Sequence, residues 1–290
     1  MSNSHKPDDF FLGRAQELML LDKAISLNRP VALVGPTGNG KTYMVHHWAR
    51  QNNRQVCTVS GSAGATTDQL VGFWRPESLP GGGFELRWED GLLSRAVREG
   101  WVFVFEELSR APQEILGRLF SLTDTDSPVY GIPERGGDDA LGIDIHPDFR
   151  FVACFNDFGA GYFVSRVDAA FLDRFYVVKM GYLPTEAEKK IIEHFIGQYK
   201  QHVPAMMNVT ELSRNQKDDT NSISTRDLAL WAEMAQALAG DMQTSFNVAI
   251  GAKKKASVTE HMQDIFGREP TVIRKSTARY NAQGDRIIAS

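Results

Sequence analysis

The sequence holds only two cysteines, Cys57 and Cys154, each inside a short apolar run (VCTVS and FVACFN). Two isolated thiols make neither a disulfide framework nor a zinc-ligand spacing, which sets aside disulfide-stapled folds and zinc modules. No apolar run approaches the roughly 18–20 residues that cross a bilayer as a helix, so no membrane association is expected. The opening MSNSHKPDDFF lacks a basic segment followed by an apolar one, so a soluble, cytoplasmic protein without a signal peptide is expected. Excess positive charge is missing too: 32 Lys and Arg stand against 36 Asp and Glu, a net charge of −4. That balance lacks the electrostatic footprint of a nucleic-acid binder. There is no HExxH, and His46 and His47 are adjacent on a predicted helix and so share no face. No nucleophile–His–acid arrangement can be argued from spacing, and no internal repeat is visible.

What is present is 290 residues, 42% of them apolar. At about 100–200 residues per domain, that is one sizeable core, or one core with a small appended domain. Strands are predicted at RPVALVG (29–35), RQVCTVSG (54–61), WVFVF (101–105), FRFVACFN (149–156) and FYVVKMG (175–181). Between them lie helical patterns. KTYMVHHWARQ covers 41–51, and DGLLSRAVREG covers 90–100 with Asp90 at its N-cap and Gly100 as its stop. APQEILGRLFSLTD begins its helix near Pro112 and places Ile115, Leu116, Leu119 and Phe120 on one face. Strands alternating with helices predict an α/β domain over residues 1–181, an open parallel sheet covered by helices on both faces.

Two stretches interrupt that rhythm. GFWRPESLPGGGFELRWE (72–89) and residues 128–148 both resemble inserted hairpins, and loops this long are either functional or surface decoration. Phe73, Trp74, Phe84 and Trp88 in the first would either contact a partner or pack the hairpin on the core. After Gly181 the pattern is helical only, so residues 182–240 are expected to form a small all-helical domain. Thr185 and Glu188 make a capping-box pattern at its start, and Ser224 caps TRDLALWAEMAQALAG. Residues 241–290 fit either a packed extension or a loose tail.

GPTGNGKT (35–42) matches G-x-x-x-x-G-K-[ST] between a predicted strand and a predicted helix. The glycines Gly35, Gly38 and Gly40 allow turns that a Cβ would block. With Pro36, Thr37 and Asn39 they form a loop whose N–H groups face inward at the positive end of the following helix. Lys41 adds a charge for the β- and γ-phosphates and Thr42 a hydroxyl for Mg²⁺, so ATP and Mg²⁺ are the expected ligands. The run WVFVF ends in Glu106 and Glu107. At the C-terminal edge of a parallel strand, Glu106 would reach the Mg²⁺ shell and Glu107 an attacking water. Asn156, ending FVACFN, would hold that water. Arg174 in LDRF and Arg226 in STRD are candidates for the γ-phosphate, with Arg166 ranked below them. The plainer alternatives are solvated glutamates, a turn asparagine and surface arginines.

Taken in order, GPTGNGKT, VFVFEE, FVACFN, LDRF and STRD resemble the AAA+ ATPases over most of residues 10–240. LVGFW, the DGLLSRAVREG helix, EELSRAPQEILGRLFSLTD and HPDFRFVACFN are similar to the MoxR branch, in particular the CbbQ, NorQ and GvpN group, and less so to the ATPase subunit of cobalt chelatase. The two inserts fit that branch. The resemblance implies an ATPase that assembles as a ring, usually a hexamer, with ATP bound between subunits. Lys41 and Thr42 would be Walker A residues, Glu106 and Glu107 the Walker B pair, and Asn156 sensor 1. Arg174 would be the finger reaching a neighbouring subunit, and Arg226 sensor 2. It further implies a von Willebrand factor A domain partner and a client protein, often a metalloenzyme, that is remodelled or activated. Glu106 departs from the family's aspartate at that position. The rival readings are a nucleic-acid motor and a nucleotide-gated scaffold with little turnover.

Overall fold

Five strands, β1 (Val31–Gly35), β2 (Val56–Ser60), β5 (Val102–Glu106), β8 (Arg150–Asn156) and β9 (Tyr176–Lys179), make one sheet in the order β2-β5-β8-β1-β9. Every pairing in it is parallel. The computed structural model describes residues 10–61, 65–124, 129–140, 142–156, 172–215, 222–254, 256–266, 279–280 and 286–287. Arg166 lies outside the described residues.

The unbroken apolar character of WVFVF follows from burial on both sides. Phe103 and Phe105 project into one core with Phe151 and Phe155 of β8, under α4 (Leu92–Glu99) and α5 (Gln113–Ser121). Val102 and Val104 project into the other core with Leu33, Val152 and Val178, under α1 (Ala15–Ser26) and α2 (Lys41–Gln51). The aromatic side is cross-linked by ring contacts: Phe103 to Phe151 at 5.9 Å and Phe151 to Phe175 at 5.5 Å between centroids. Ile115 and Leu119 of α5 are fully buried there, with Leu116 and Phe120 packed at the margin, which is the predicted face.

The helix over 92–99 is not capped as expected. Gly91 occupies the N-cap and no side chain bonds there. Asp90 instead ends strand β4 (Phe84–Asp90), accepting a hydrogen bond from Trp88 Nε1 at 2.6 Å and pairing with Arg98 at 2.9 Å. The Asp90 carboxylate is thus engaged by Trp88 of its own strand and by Arg98 in the last turn of α4 instead of by the helix's first N–H groups.

Both inserts are hairpins. β3 (Gly72–Ser78) pairs antiparallel with β4 from Gly72↔Asp90 to Ser78↔Phe84. Strand alternation sorts it into two faces. One carries Trp74, Pro76, Leu86, Trp88 and Phe84, and the other Arg75, Arg87, Glu77, Glu85 and Glu89, joined by Arg75–Glu89 and Arg87–Glu77 ion pairs. Trp88 packs against the core, whereas Phe84 at the tip is 71% exposed. The second insert is a short ladder of β6 (Val129–Tyr130) with β7 (Ile143–Asp144). Trp74 Nε1 donates to the Glu134 carbonyl at 3.1 Å, so the two inserts are hydrogen-bonded to each other.

The chain divides into two compact units, residues 1–191 with 224–226, and residues 192–223 with 227–290. The linker and first turns of α6 (Thr185–Ile196) therefore belong with the sheet, where buried Glu188 accepts the Thr225 hydroxyl at 2.6 Å. The second unit is helical, with α7 (Val203–Arg214), most of α8 (Thr225–Ala237), α9 (Met242–Ala249) and α10 (Ala256–Phe266). Its core does not stop at residue 240: Met242, Phe246, Val258, Met262 and Phe266 are buried with Ile196, Met206 and Trp231. Residues 242–266 thus pack as an extension of the helical core, because their apolar residues recur at helical spacing. Beyond them, β10 (Arg279–Tyr280) and β11 (Arg286–Ile287) form a short antiparallel ladder. Among the described residues no helix is long and apolar enough to cross a membrane.

Trp231 is the keystone of the helical unit. It is fully buried, its ring lies 5.0 Å from Phe246 and 5.7 Å from Phe266, and its Nε1 donates to the Met242 carbonyl at 3.2 Å. Trp231→Ala is expected to destabilise that unit by about 3–5 kcal/mol, read as a lowered denaturation midpoint of its helical signal.

Candidate functional site

The loop between β1 and α2 is shaped by what surrounds it. A Cβ at Gly35 would lie 1.9 Å from the Met180 carbonyl oxygen, because Met180 N donates to Val34 O at 2.7 Å and brings the chains together. Gly38 sits at φ +76°, and a Cβ there would also meet Ser224 Oγ at 2.5 Å. Asn39 is buried, its amide nitrogen donating to the carbonyls of Met180 and Gly181. Arg14, also buried, donates to the carbonyls of Asn39 at 3.1 Å and Gly181 at 2.7 Å and pairs with Glu17. The loop is therefore braced from outside. No side chain caps the N-terminus of α2, which leaves its positive end available to an anion.

Lys41 folds back over the loop. Its Nζ donates to Gly35 O at 2.9 Å, Pro36 O at 2.8 Å and Asn39 Oδ1 at 3.4 Å. Burial pushes its pKa down to about 8, the charges of Arg226 and Arg14 push the same way, and Glu106 opposes them.

Strand register delivers the acidic and amide groups. Gly35 pairs with Asn156 across β1 and β8, and Glu106 pairs with Cys154 across β5 and β8. The Thr42 hydroxyl donates to Glu106 Oε1, and Cys154 Sγ lies 3.9 Å from the same hydroxyl. Burial pushes the Cys154 thiol up to about 12, so it stays protonated. Glu107 follows the strand in a left-handed conformation, φ 53°, ψ 41°, and its carboxylate pairs with Arg110 at 3.0 Å.

A cavity of about 140 Å³ is lined by Thr37, Gly38, Gly40, Lys41, Thr42, Tyr43, Glu106, Glu107, Cys154, Asn156 and Arg226. Glu107, Asn156 and Arg226, separated by 119 positions of sequence from first to last, thus meet the loop in one place. Arg226 is held there by its own backbone N–H, which donates to Gly38 O at 3.1 Å. Gly35, Pro36 and Asn39 do not line the cavity but hold Lys41. Arg174 is not among the lining residues; its guanidinium lies 4.3 Å over the Phe120 ring on the exposed surface. A second cavity of about 150 Å³, lined by Arg29, His146 and Arg150, opens at the opposite edge of the sheet and contains none of the motif residues.

Tyr43, Cys154 and the brace Arg14 were not singled out by sequence reasoning. Cys154 was within reach, since it stands two residues before Asn156 on the same strand. Arg14 was not: its bond to Gly181 spans 167 residues.

Thr42 and Glu106 suit a hard cation that prefers oxygen. Among the described residues no group of three or more His, Cys, Asp or Glu forms a protein-only metal cage. One carboxylate and one hydroxyl beside a phosphate cradle is the kind of donor set Mg²⁺ takes when phosphates and waters complete its shell.

A family model described as "AAA domain (dynein-related subfamily)" matches residues 30–175, half of the chain. The chain belongs to that AAA family. Among its relatives are the GvpN, NorQ, NirQ and CbbQ proteins, which are MoxR-type ATPases. The gas vesicle ATPase GvpN of Haloferax mediterranei is 31% identical over 189 residues, covering 60% of this chain and 53% of that protein. Protein NorQ of Paracoccus denitrificans is 29% identical, covering 75% and 77% respectively. The chain therefore spans about half the length of the gas vesicle relative. The fold is shared with NtrX of Brucella abortus, solved in complex with ADP, at TM-score 0.54 and 17% identity over 91% of this chain and 58% of that one.

In this AAA domain burial holds the Lys41 pKa down at about 8, so its positive charge diminishes as pH rises through that value. ATP affinity is expected to weaken as pH rises from 7 to 9, with proton uptake on binding near pH 8, measured by calorimetry in buffers of different ionisation enthalpy.

Proposed function

We propose that this protein binds ATP with Mg²⁺ and hydrolyses it to ADP and phosphate. The observation that carries the proposal is the meeting of Lys41, Thr42, Glu106, Glu107, Asn156 and Arg226 around one cavity. In this reading the loop 35–40 and the N-terminus of α2 receive the phosphates, and Lys41 leaves its backbone partners for the β- and γ-phosphates. Thr42 and Glu106 hold the metal. Mg²⁺, when bound, neutralises charge on the phosphate oxygens.

Glu107 takes a proton from the attacking water as the new O–P bond forms and the bond to the bridging oxygen of ADP breaks. Asn156 holds that water, its neutral amide offering both a donor and an acceptor. Arg226 places positive charge beside the γ-phosphate from the same chain. Arg174, away from its own cavity, serves the site of a neighbouring subunit in a ring, which we infer to be a hexamer. The extra methylene of Glu106 does not strand it, since its carboxylate already accepts the Thr42 hydroxyl. Hydrolysis is therefore expected despite the missing aspartate.

The same kinship supports a role as a cytoplasmic remodeller of a client protein, with a von Willebrand factor A domain partner. Gas vesicle ATPases and NorQ among the relatives favour that reading over a nucleic-acid motor, as does the net charge of −4.

Glu107→Gln is expected to keep ATP affinity within about threefold and to lower phosphate release by at least about 10²-fold. Unchanged release would remove Glu107 from the chemistry. Arg174→Ala is expected to lower hydrolysis by about 10³-fold while rings still form. Mixing Arg174→Ala with Glu107→Gln subunits should restore part of the activity, because some sites then combine an intact Glu107 with a neighbour's intact Arg174. A mixture as inactive as its components, or a monomer in the presence of Mg-ATP, would rule out the role in trans.

A further inference from the structure

Arg110, the last residue of WVFVFEELSR, takes no part in the roles above, yet it touches the residue assigned to the chemistry. We infer that Arg110 is the positioning residue for Glu107, fixing one carboxylate oxygen so that the other faces the attacking water. The inference rests on the reading of Glu107 as the base.

The backbone at Glu107 is held from several sides. It adopts φ 53°, ψ 41°, a left-handed conformation uncommon for a glutamate. A 3₁₀ turn, Leu108–Arg110, follows at once, closed by Arg110 N donating to Glu107 O at 2.8 Å. Leu108 is fully buried and pins the turn to the aromatic core. On the other side Gly61 N donates to Glu106 O at 2.7 Å, and a Cβ on Gly61 would approach Glu107 O to 2.8 Å. This directs the Cα–Cβ bond of Glu107 but leaves three side-chain torsions free.

The ion pair biases that freedom. Arg110 Nη1 donates to Glu107 Oε2 at 3.0 Å. Glu107 Oε1 has no protein hydrogen-bond partner among the described residues, while Glu107 lines the cavity. One oxygen is anchored, and the residue that carries both borders the cavity. The Arg110 side chain in turn has no other partner among the described residues and is 57% exposed. An exposed pair of this kind contributes little to stability. Its consequence is geometric: it selects the rotamer from which a proton can be received, and misplacing a catalytic group by about an ångström is costly in rate.

The test compares Arg110→Ala, Arg110→Lys and Glu107→Gln with the unaltered protein, under Mg-ATP, by steady-state phosphate release and by ATP binding. Arg110→Ala is expected to lower kcat by about tenfold with KM and ATP affinity within about twofold. Arg110→Lys, which restores the charge, is expected to recover kcat to within about threefold. An unchanged or raised kcat in Arg110→Ala, a loss that falls in KM, or a lysine variant no better than alanine would overturn the inference. If Glu107→Gln is inactive while Arg110→Ala is unaffected, the positioning role falls and the base remains. If Glu107→Gln hydrolyses ATP at the normal rate, the base assignment falls and takes the positioning role with it.

Discussion

Parallel pairing of β1, β5 and β8, each buried on both faces, is the constraint on which the site depends. Phenylalanines on one side and valines on the other lock β5 and β8 against helices that cannot slide without exposing apolar surface. A shift of one residue along β5 would turn Phe103 and Phe105 toward the core of Val31, Leu33 and Val152 on the other face. The register Gly35↔Asn156 and Glu106↔Cys154 is therefore fixed by packing. The polar chemistry at the sheet's edge inherits its precision from apolar contacts beneath it.

Charge is concentrated at that edge and neutralised locally. Lys41 is satisfied by carbonyls of its own loop, Glu106 by Thr42 and Glu107 by Arg110. Each of these charged groups thus has a near neighbour of complementary polarity, which limits the desolvation cost of holding them together. Arg14 and Asn39, both buried and both bonded to Gly181 or its neighbour Met180, brace the loop from outside.

Glu106 illustrates how a departure from a family pattern is absorbed. A glutamate carries its carboxylate one methylene further than an aspartate, yet here it reaches the Thr42 hydroxyl. Cys154, opposite Glu106 in the register, is small and its thiol is neutral, so it leaves room beside the carboxylate without adding charge. A bulkier residue on β8 at that position would face the same space.

Much of this was legible in the sequence. Five apolar runs alternating with helical patterns predicted the parallel sheet, since strands buried on both faces leave continuous hydrophobic text. GPTGNGKT announced its loop because glycine spacing and a flanking strand and helix are local properties. Glu106, Glu107 and Asn156 were readable as strand-end residues. The cap of α4 was misread because Asp90 ends strand β4 and its carboxylate engages the nearby Trp88 and Arg98 instead, a competition among close neighbours that residue preference alone does not decide. The helical packing of residues 242–266 was left open, because amphipathic spacing says that a face will be buried but not against what. Arg14 bonding Gly181, Arg226 meeting Gly38, and Arg174 resting over Phe120 are contacts between distant segments. The sequence determined which residues could do the chemistry, because propensity, turn formation and charge are written locally. Only the tertiary structure decided which of them share a cavity, because that follows from how far-apart segments bury their apolar faces together.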